Sequence, residues 1–331
     1  MEDFCRREGI RYFPYRKGFS VNPLVGLRLR RVCRHWQPDL LHTHDSHAHT
    51  FAYLAALMGN QTPIVVSRRV DFPIGKSRFS LRKYHHPCVR KVLCVSQEIQ
   101  RILLQDYQHP DQTAVVYSGI DLEKFPDTVP GTLHKELGIS PETLLIGNVA
   151  ALAPHKDYFT FVDTVEQLVR LGFTGPYLII GGDGGEQAAI ESYVQQKDLT
   201  KVIRFLGYRN DIPDILPELD ILLFTSKTEG LGTTLLDAQA CGTAIVATRA
   251  GGIPEVIEDE DNGLLAPVGD APILAQQVVR LLEDPDLRAR LIESGRERVK
   301  AFSKQETARQ TRAQYQAVVS PGRSDWSPRS G

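Results

Sequence analysis

No run of eighteen apolar residues occurs in the sequence, so no stretch is long enough to cross a bilayer as a helix. The first fifteen residues, MEDFCRREGIRYFPY, lack the apolar core of a secretory signal, and nothing in them predicts export. Cysteine is scarce: Cys5, Cys33, Cys88, Cys94 and Cys241 are odd in number, scattered and without a CxxC pair. That pattern predicts inert thiols in a reduced cytoplasmic setting rather than a disulfide scaffold. Internal repeats and low-complexity tracts are also missing. Net charge is only -1, but residues 1–110 hold 18 Lys and Arg against 8 Asp and Glu, while the remainder holds 21 against 32. So lopsided a distribution predicts an anionic partner for the first part: anionic lipid, an acidic acceptor or nucleic acid.

What the chain does have is length and alternation. Its 331 residues, 42% hydrophobic and 24% charged, suffice for two ordinary domains, each with its own core. Short apolar or β-branched runs predict strands at 11–13, 39–42, 64–66, 92–95 and 114–116, with helices at about 24–36, 47–58, 77–88 and 96–107 between them. Ser96 is the expected N-cap of the last of these. After a Pro/Gly-bearing linker from Pro126 to Gly131, strands are expected at 144–150, 177–180, 202–206, 220–224, 244–248 and 263–266. Helices are expected there at about 156–171, 186–197, 210–217, 233–241, 270–283 and 304–319. Strand and helix alternating with short connections predict doubly wound parallel sheets.

The densest signal runs from Phe224 to Ile257, FTSKTEGLGTTLLDAQACGTAIVATRAGGIPEVI. A strand ends in small polar residues, Gly230 and Gly232 turn the chain, and a helical pattern opens near Thr233 and stops at Gly242. In an open parallel sheet this junction lies at the carboxyl edge, where ligands bind and a helix N-terminus favours negative charge. Glu229 stands on the lip of the turn and Asp237 lies about one and a half turns into the helix. A second strand ends in Gly251-Gly252-Ile253-Pro254-Glu255, expected to open at the same edge.

This constellation resembles the donor site of retaining glycosyltransferases of family 4, which have the two-domain GT-B fold. Their signature is EG(F/L)(G/P)xxxxE followed by ACGxP(V/I)(V/I)(A/G)(T/S)xxGGxPE(V/I)(V/I); this chain supplies EGLGTTLLD and then ACGTAIVATRAGGIPEVI. The second acidic position is Asp237, one methylene short of the family's Glu. The resemblance implies an α/β fold of two Rossmann-like, doubly wound parallel-sheet domains facing across a cleft. Residues 1–126 would form the acceptor-side domain, 127–303 the nucleotide-sugar donor domain, 304–319 a helix crossing back to the first domain, and 320–331 a disordered tail. It also implies that the chain starts partway into the first domain, without the family's opening strand and glycine loop.

Carried over residue by residue, the resemblance gives Glu229 the donor sugar's hydroxyls and Asp237 the ribose, with Gly230, Leu231, Gly232, Thr233, Thr234 and Glu255 completing the donor pocket. Lys156 would neutralise the diphosphate and share the catalytic role with Glu229, although Ala151 replaces the family's Arg. Gly182, Asp183 and Gly184 would border the nucleotide, and Tyr208 follows the FLG segment that frames the base; a plain loop is as good a reading of Tyr208. Tyr117-Ser118-Gly119-Ile120-Asp121, followed by Phe125, matches the end of the family's first domain.

His42, His44, His47 and His49 with Asp45 invite a metal reading. They straddle a strand end and a helix start without a carboxylate triad, which weighs against a metal; the resemblance, whose members often carry a polar HxH-like turn here, implies that His44 and Asp45 line the acceptor-side cleft. Arg68 and Arg69 stand where many relatives place a cleft histidine, and suit an anionic acceptor or the donor phosphates. The implied activity is metal-free and cofactor-free transfer of a sugar from a nucleotide diphosphosugar to a lipid or saccharide acceptor hydroxyl, in envelope glycolipid or polysaccharide synthesis. A cytoplasmic enzyme with no nucleic acid partner is expected, and the basic balance of residues 1–110 with the Arg-rich stretch from Leu24 to Trp36 predicts contact with anionic membrane at the inner face. A nucleotide-sugar epimerase of the same fold and a non-catalytic nucleotide-sugar binding protein are the alternatives.

Overall fold

A computed structural model describes residues 2–15, 21–125, 131–182 and 184–319. The expected 126/127 boundary, Asp183 and the tail 320–331 lie outside these residues, as does all of the linker except Gly131.

The chain builds two parallel sheets. In the first, β1 (Leu41–Thr43), β2 (Ile64–Arg68), β3 (Val89–Cys94) and β4 (Thr113–Val115) lie side by side in chain order. Around them run α1 (Glu2–Arg7), α2 (Pro23–Trp36), α3 (Ser46–Leu57), α4 (Arg78–Tyr84) and α5 (Gln97–Leu103). Both faces of this sheet are covered, and the central Ile64-Val65-Val66 of β2 accordingly reads as an unbroken apolar run. Ile64 and Val66 join one core with Val92, Ile99 and Leu103, while Val65, between them, joins Leu93 and Val116 in the other. Each fully buried Ile or Val contributes about 1.5–3 kcal/mol.

In the second sheet the order is β10-β9-β8-β5-β6-β7, formed by β5 (Ile146–Val149), β6 (Tyr177–Ile180), β7 (Ile203–Gly207), β8 (Ile221–Phe224), β9 (Ala244–Thr248) and β10 (Leu264–Ala266). Its helices are α6 (Thr132–Leu137), α7 (Tyr158–Arg170), α8 (Gln187–Gln196), α9 (Ile212–Ile215), α10 (Thr233–Cys241), α11 (Ile253–Val256), α12 (Ala271–Glu283) and α13 (Pro285–Val299). Strand order reverses between β5 and β8, which pair in parallel through Ile146↔Ile221. At such a switch point adjacent connections leave in opposite directions and a crevice opens outside the strand ends.

Three sequence expectations are corrected. Residues 11–13 form no strand: Pro14 cannot donate to a ladder, and the side chains turn to α2, with the Arg11 guanidinium 3.8 Å from the Trp36 ring centroid and Phe13 at 6.0 Å. The helix expected at 77–88 ends at Tyr84, and that expected at 96–107 ends at Leu103. Helix α13 went unpredicted because its inner face is a narrow line, Leu291, Gly295 and Val299, in an otherwise polar sequence. Its start was legible, since Asp284 caps it by accepting from Leu287 N at 2.9 Å and Pro285 follows at the first position.

The last helix, α14 (Lys304–Val319), returns to the first sheet, where Tyr315 and Val318 cover Val65, Leu93 and Val116. Ile120 N donates to Phe302 O at 2.9 Å and Lys304 N to Ile120 O at 2.8 Å, tying its start to the end of the first sheet. Among the described residues no helix is long and apolar enough to cross a membrane.

Candidate active site

Chains leaving β5 and β8 meet at the switch point. After β5 a one-turn 3-10 helix, Pro154–Lys156, presents Lys156, and Asp157 takes up a left-handed backbone (φ 50°). Asp157 is buried, accepts from Thr160 Oγ1 at 2.6 Å and pairs with Lys227 Nζ at 3.0 Å. Thr225, just past β8, donates to Asp157 O at 3.0 Å, so the two connections hold each other.

The turn after β8 then brings Glu229 back to Lys156. Their side chains form an ion pair, and Ser226 Oγ donates to the same carboxylate oxygen at 2.8 Å. Gly232 occupies φ +85° at the start of α10, a conformation that side-chain-bearing residues seldom adopt. The Gly251-Gly252 loop lies directly behind this turn: Gly252 N donates to Glu229 O at 2.9 Å, and a Cβ on Gly252 would fall 2.4 Å from Gly230 O.

The result is a cleft of about 200 Å³. The second sheet contributes Lys156, Phe224 and residues 229–234, and the first contributes Arg69, Val95 and Ser118. Thr233 and Thr234, the first residues of α10, present the free amides and positive end of that helix. One carboxylate, two cations and a helix N-terminus therefore converge on a space open to a polyhydroxyl anion. A larger hollow of about 270 Å³ between α2, α3 and β1 is walled chiefly by apolar groups such as Val25, Leu29 and Phe51, and lacks that chemistry.

Other expected residues stand apart from the cleft wall. Asp237 pairs with Lys124 Nζ at 2.7 Å; burial pushes its carboxyl above the usual range and Lys124 pulls it back. Glu255 is turned away to the first sheet's side, where Gln97 N donates to Oε2 at 2.7 Å and Glu98 N to Oε1 at 2.8 Å. Helix α11 follows Gly252 immediately, and its first turn meets the first amides of α5, which have no partner within that helix.

Arg68 and Arg69 do not act as a pair: Arg68 is the last residue of β2, and Arg69 lies just past the strand. Arg69 is exposed on the cleft wall, whereas Arg68 is 2% exposed and donates to Tyr84 Oη at 3.1 Å and to Phe72 O. Gly182 lies against Tyr208, Gly184 is backed against Leu152, and Tyr208 itself projects into solvent at 74% exposure.

The histidine segment divides three ways. Asp45 caps α3, accepting from His47 N at 2.7 Å and Ala48 N at 2.8 Å. His49 is buried against Tyr84. His42 bridges Tyr315 Oη at 2.5 Å and Ser67 Oγ at 2.8 Å, with the His44 ring 4.0 Å away. Burial, His44 and Arg69 together push His42 down to about 4, and burial and Arg69 lower His44. Among the described residues no group of three His, Cys, Asp or Glu is arranged to hold a metal ion.

Four participants were not singled out from the sequence. Ser226 and Asp157 support Glu229 and the β5 turn, Lys124 meets Asp237, and Asp71 Oδ2 accepts from Thr228 Oγ1 at 2.5 Å across the cleft. Only Ser226, three residues before Glu229, carried a local cue; the others depend on contacts between residues 68 to 157 positions apart.

Comparisons with known proteins bear on what this arrangement does. The family model described as glycosyl transferases group 1 matches residues 131–298, and that described as glycosyltransferase family 4 matches residues 2–124. N-acetyl-alpha-D-glucosaminyl L-malate synthase of Bacillus anthracis is 29% identical over 278 residues, covering 82% of this chain and 72% of its own. The Escherichia coli UDP-Gal:alpha-D-GlcNAc-diphosphoundecaprenol alpha-1,3-galactosyltransferase is 25% identical over 271 residues, covering 78% and 70%. Anabaena Alr3699/HepE, solved in complex with UDP, superposes with a TM-score of 0.82 at 21% identity, covering 96% of this chain and 89% of its own.

Proposed function

The chain belongs to the glycosyl transferases group 1 family and is a glycosyltransferase of GT-B fold, and on that footing we propose that it moves a sugar from a nucleoside diphosphosugar to an acceptor hydroxyl with retention at the anomeric carbon. The observation that carries the reading is the meeting of Lys156, Glu229 and the α10 amides at the β5/β8 switch point, opposite Arg69. The family Arg replaced by Ala151 is compensated by the cations and amides already there. Lys156, Arg69 and the first amides of α10 bind the diphosphate, whose charge grows as the bond to the sugar breaks. Glu229 accepts from the sugar's hydroxyls, and Asp237 serves the ribose from deeper in α10.

Reaction proceeds on one face of the sugar. The acceptor oxygen bonds to the anomeric carbon as the carbon–oxygen bond to the diphosphate breaks, and the acceptor proton passes to the departing phosphate oxygen. No protein nucleophile takes part, and the reaction calls for no metal. A single carboxylate at the sugar, paired with Lys156, differs from the two facing carboxylates of a hydrolase.

The acceptor is a lipid-linked or saccharide hydroxyl of envelope glycolipid or polysaccharide synthesis, in line with the acceptor in the Escherichia coli relative's name. The enzyme works in the cytoplasm at the inner membrane face, drawn there by Arg28, Arg30, Arg31 and Arg34 of α2, which have no carboxylate partner among the described residues.

A thermal-shift panel of nucleoside diphosphosugars tests the reading. The true donor at a hundred times its Kd stabilises the fold by about 2.7 kcal/mol. No shift with any donor would refute it, and interconversion of the donor sugar without an acceptor would replace transfer by epimerisation.

A further inference from the structure

We propose that Glu255 is a positioning residue that holds the two walls of the cleft in register across the domains, a role that rests on the cleft being the site of transfer. Glu255 is carried by the second sheet, on α11. Both of its carboxylate oxygens are taken by the first: Gln97 N at 2.7 Å and Glu98 N at 2.8 Å, the first two amides of α5. The next amide, Ile99 N, is served by the helix's own cap, Ser96 Oγ, at 3.1 Å. The start of α5 is thus satisfied jointly, one amide from within its own domain and two from the other. Such bonds are charge-assisted and point along the positive end of the helix, so they fix direction as well as distance.

Both ends of the contact are braced. On the second sheet's side, Arg298 Nη2 donates to Glu255 O at 3.1 Å. On the first sheet's side, Gln97 Nε2 donates to Tyr117 Oη at 3.1 Å. Each end is also two or three residues from a cleft wall. Gly252, three before Glu255, donates to the Glu229 carbonyl, and Val95, two before Gln97, lines the cleft itself. Glu255 therefore links the Glu229 turn to the wall that faces it through short stretches of chain on either side, at the opposite flank of the turn from the Thr228–Asp71 bond.

Transfer is sensitive to this link in a way that donor binding is not. Most of the proposed donor contacts, Lys156, Glu229 and the α10 amides, belong to the second domain, with Arg69 the contribution from the first, whereas the acceptor oxygen must be brought to the anomeric carbon from the first. A misregister of about 1 Å between walls lowers rate far more than donor affinity. The sequence expectation that Glu255 touches the donor predicts the opposite balance.

The test compares Glu255→Ala and Glu255→Gln with the parent and with Glu297→Gln, a change at an exposed pair with Lys300. UDP affinity is measured by calorimetry and kcat and KM by transfer. Interdomain distance is measured between spin labels at Leu57→Cys and Leu171→Cys, both exposed and one in each domain. Expected for Glu255→Ala is a tenfold or greater fall in kcat, UDP affinity within threefold of the parent and a broadened distance distribution. Glu255→Gln, which keeps one accepting oxygen, falls between, and Glu297→Gln matches the parent. The proposal is overturned by a kcat within twofold of the parent, by an unchanged distance distribution, or by a tenfold loss of UDP affinity, which would make Glu255 a donor ligand. Should the parent neither bind nor transfer, the transferase reading fails separately and the distance distribution alone decides the positioning role.

Discussion

Three side chains in and around the cleft meet different electrostatic demands. Glu229 pairs with Lys156, Asp237 is buried against Lys124, and burial, His44 and Arg69 keep His42 neutral. With Glu229 on the sugar and Asp237 on the ribose, Glu229→Gln lowers transfer ten- to a hundredfold while sparing the bare nucleoside diphosphate. Asp237→Asn weakens nucleotide and donor alike, because hydrogen bonds to charged groups are worth roughly 1.5–3 kcal/mol. Titration calorimetry and initial rates distinguish them, and equal loss of bare nucleotide in both variants removes the assignment. For His42 the sign follows from proton binding. With its folded pKa depressed to about 4 against 6.5 in the unfolded chain, the unfolded state binds more protons between those values. Its stability contribution is present above about pH 6.5 and lost as pH falls towards 4. A thermal midpoint that declines across that window in the parent, and less steeply in His42→Gln, is the expected result; identical slopes would assign the decline to His44 and His49, whose pKa values are also lowered.

At the scale of elements, the site depends on loops stacked back to back at the carboxyl ends of β8 and β9. A Cβ on Gly251 would lie 2.3 Å from Glu229 O, and one on Gly252 2.4 Å from Gly230 O, both backbone atoms that cannot rotate aside. Gly252→Ala therefore displaces the turn carrying Glu229. It should cost about 1–3 kcal/mol by denaturant unfolding and lower transfer at least tenfold. Parental activity and stability in that variant would show that the loops separate without consequence. The same stacking explains why Glu255 faces α5: the chain, turned by the two glycines, has its next helical turn already pointed away from the cleft.

Across the whole molecule, charge is segregated along the chain, with the excess of Lys and Arg in residues 1–110. Near an anionic surface each basic residue contributes about 1 kcal/mol, an attraction that salt suppresses. Co-flotation with anionic vesicles at low salt, lost at high salt and absent with neutral vesicles, is expected. Equal flotation with both vesicle types would sink membrane recruitment by charge. Replacing Arg28, Arg30, Arg31 and Arg34 by Gln should halve the flotation or more while leaving transfer to a short soluble acceptor unchanged, since none of them lines the cleft.

The parallel-sheet architecture, most strands and the Glu229 turn were legible because they rest on local signals. Buried parallel strands are continuous apolar runs, and a strand, a glycine turn and a helix start announce a carboxyl-edge site wherever they occur. By itself the sequence singled out the residues to which the chemistry is assigned in the proposal: Glu229, Lys156 and the amides that open α10. Only the tertiary structure decided which of them face one another. Arg68 and Arg69 are neighbours in the chain, yet Arg68, the last residue of β2, enters the core and Arg69, just past the strand, reaches the cleft. Asp237 and Glu255 share a motif with Glu229, yet one found Lys124 and the other the amides of α5, partners 113 and about 158 residues away. Those pairings are set by how the two domains stand against each other, and no local pattern of residues encodes an orientation between separately folded sheets.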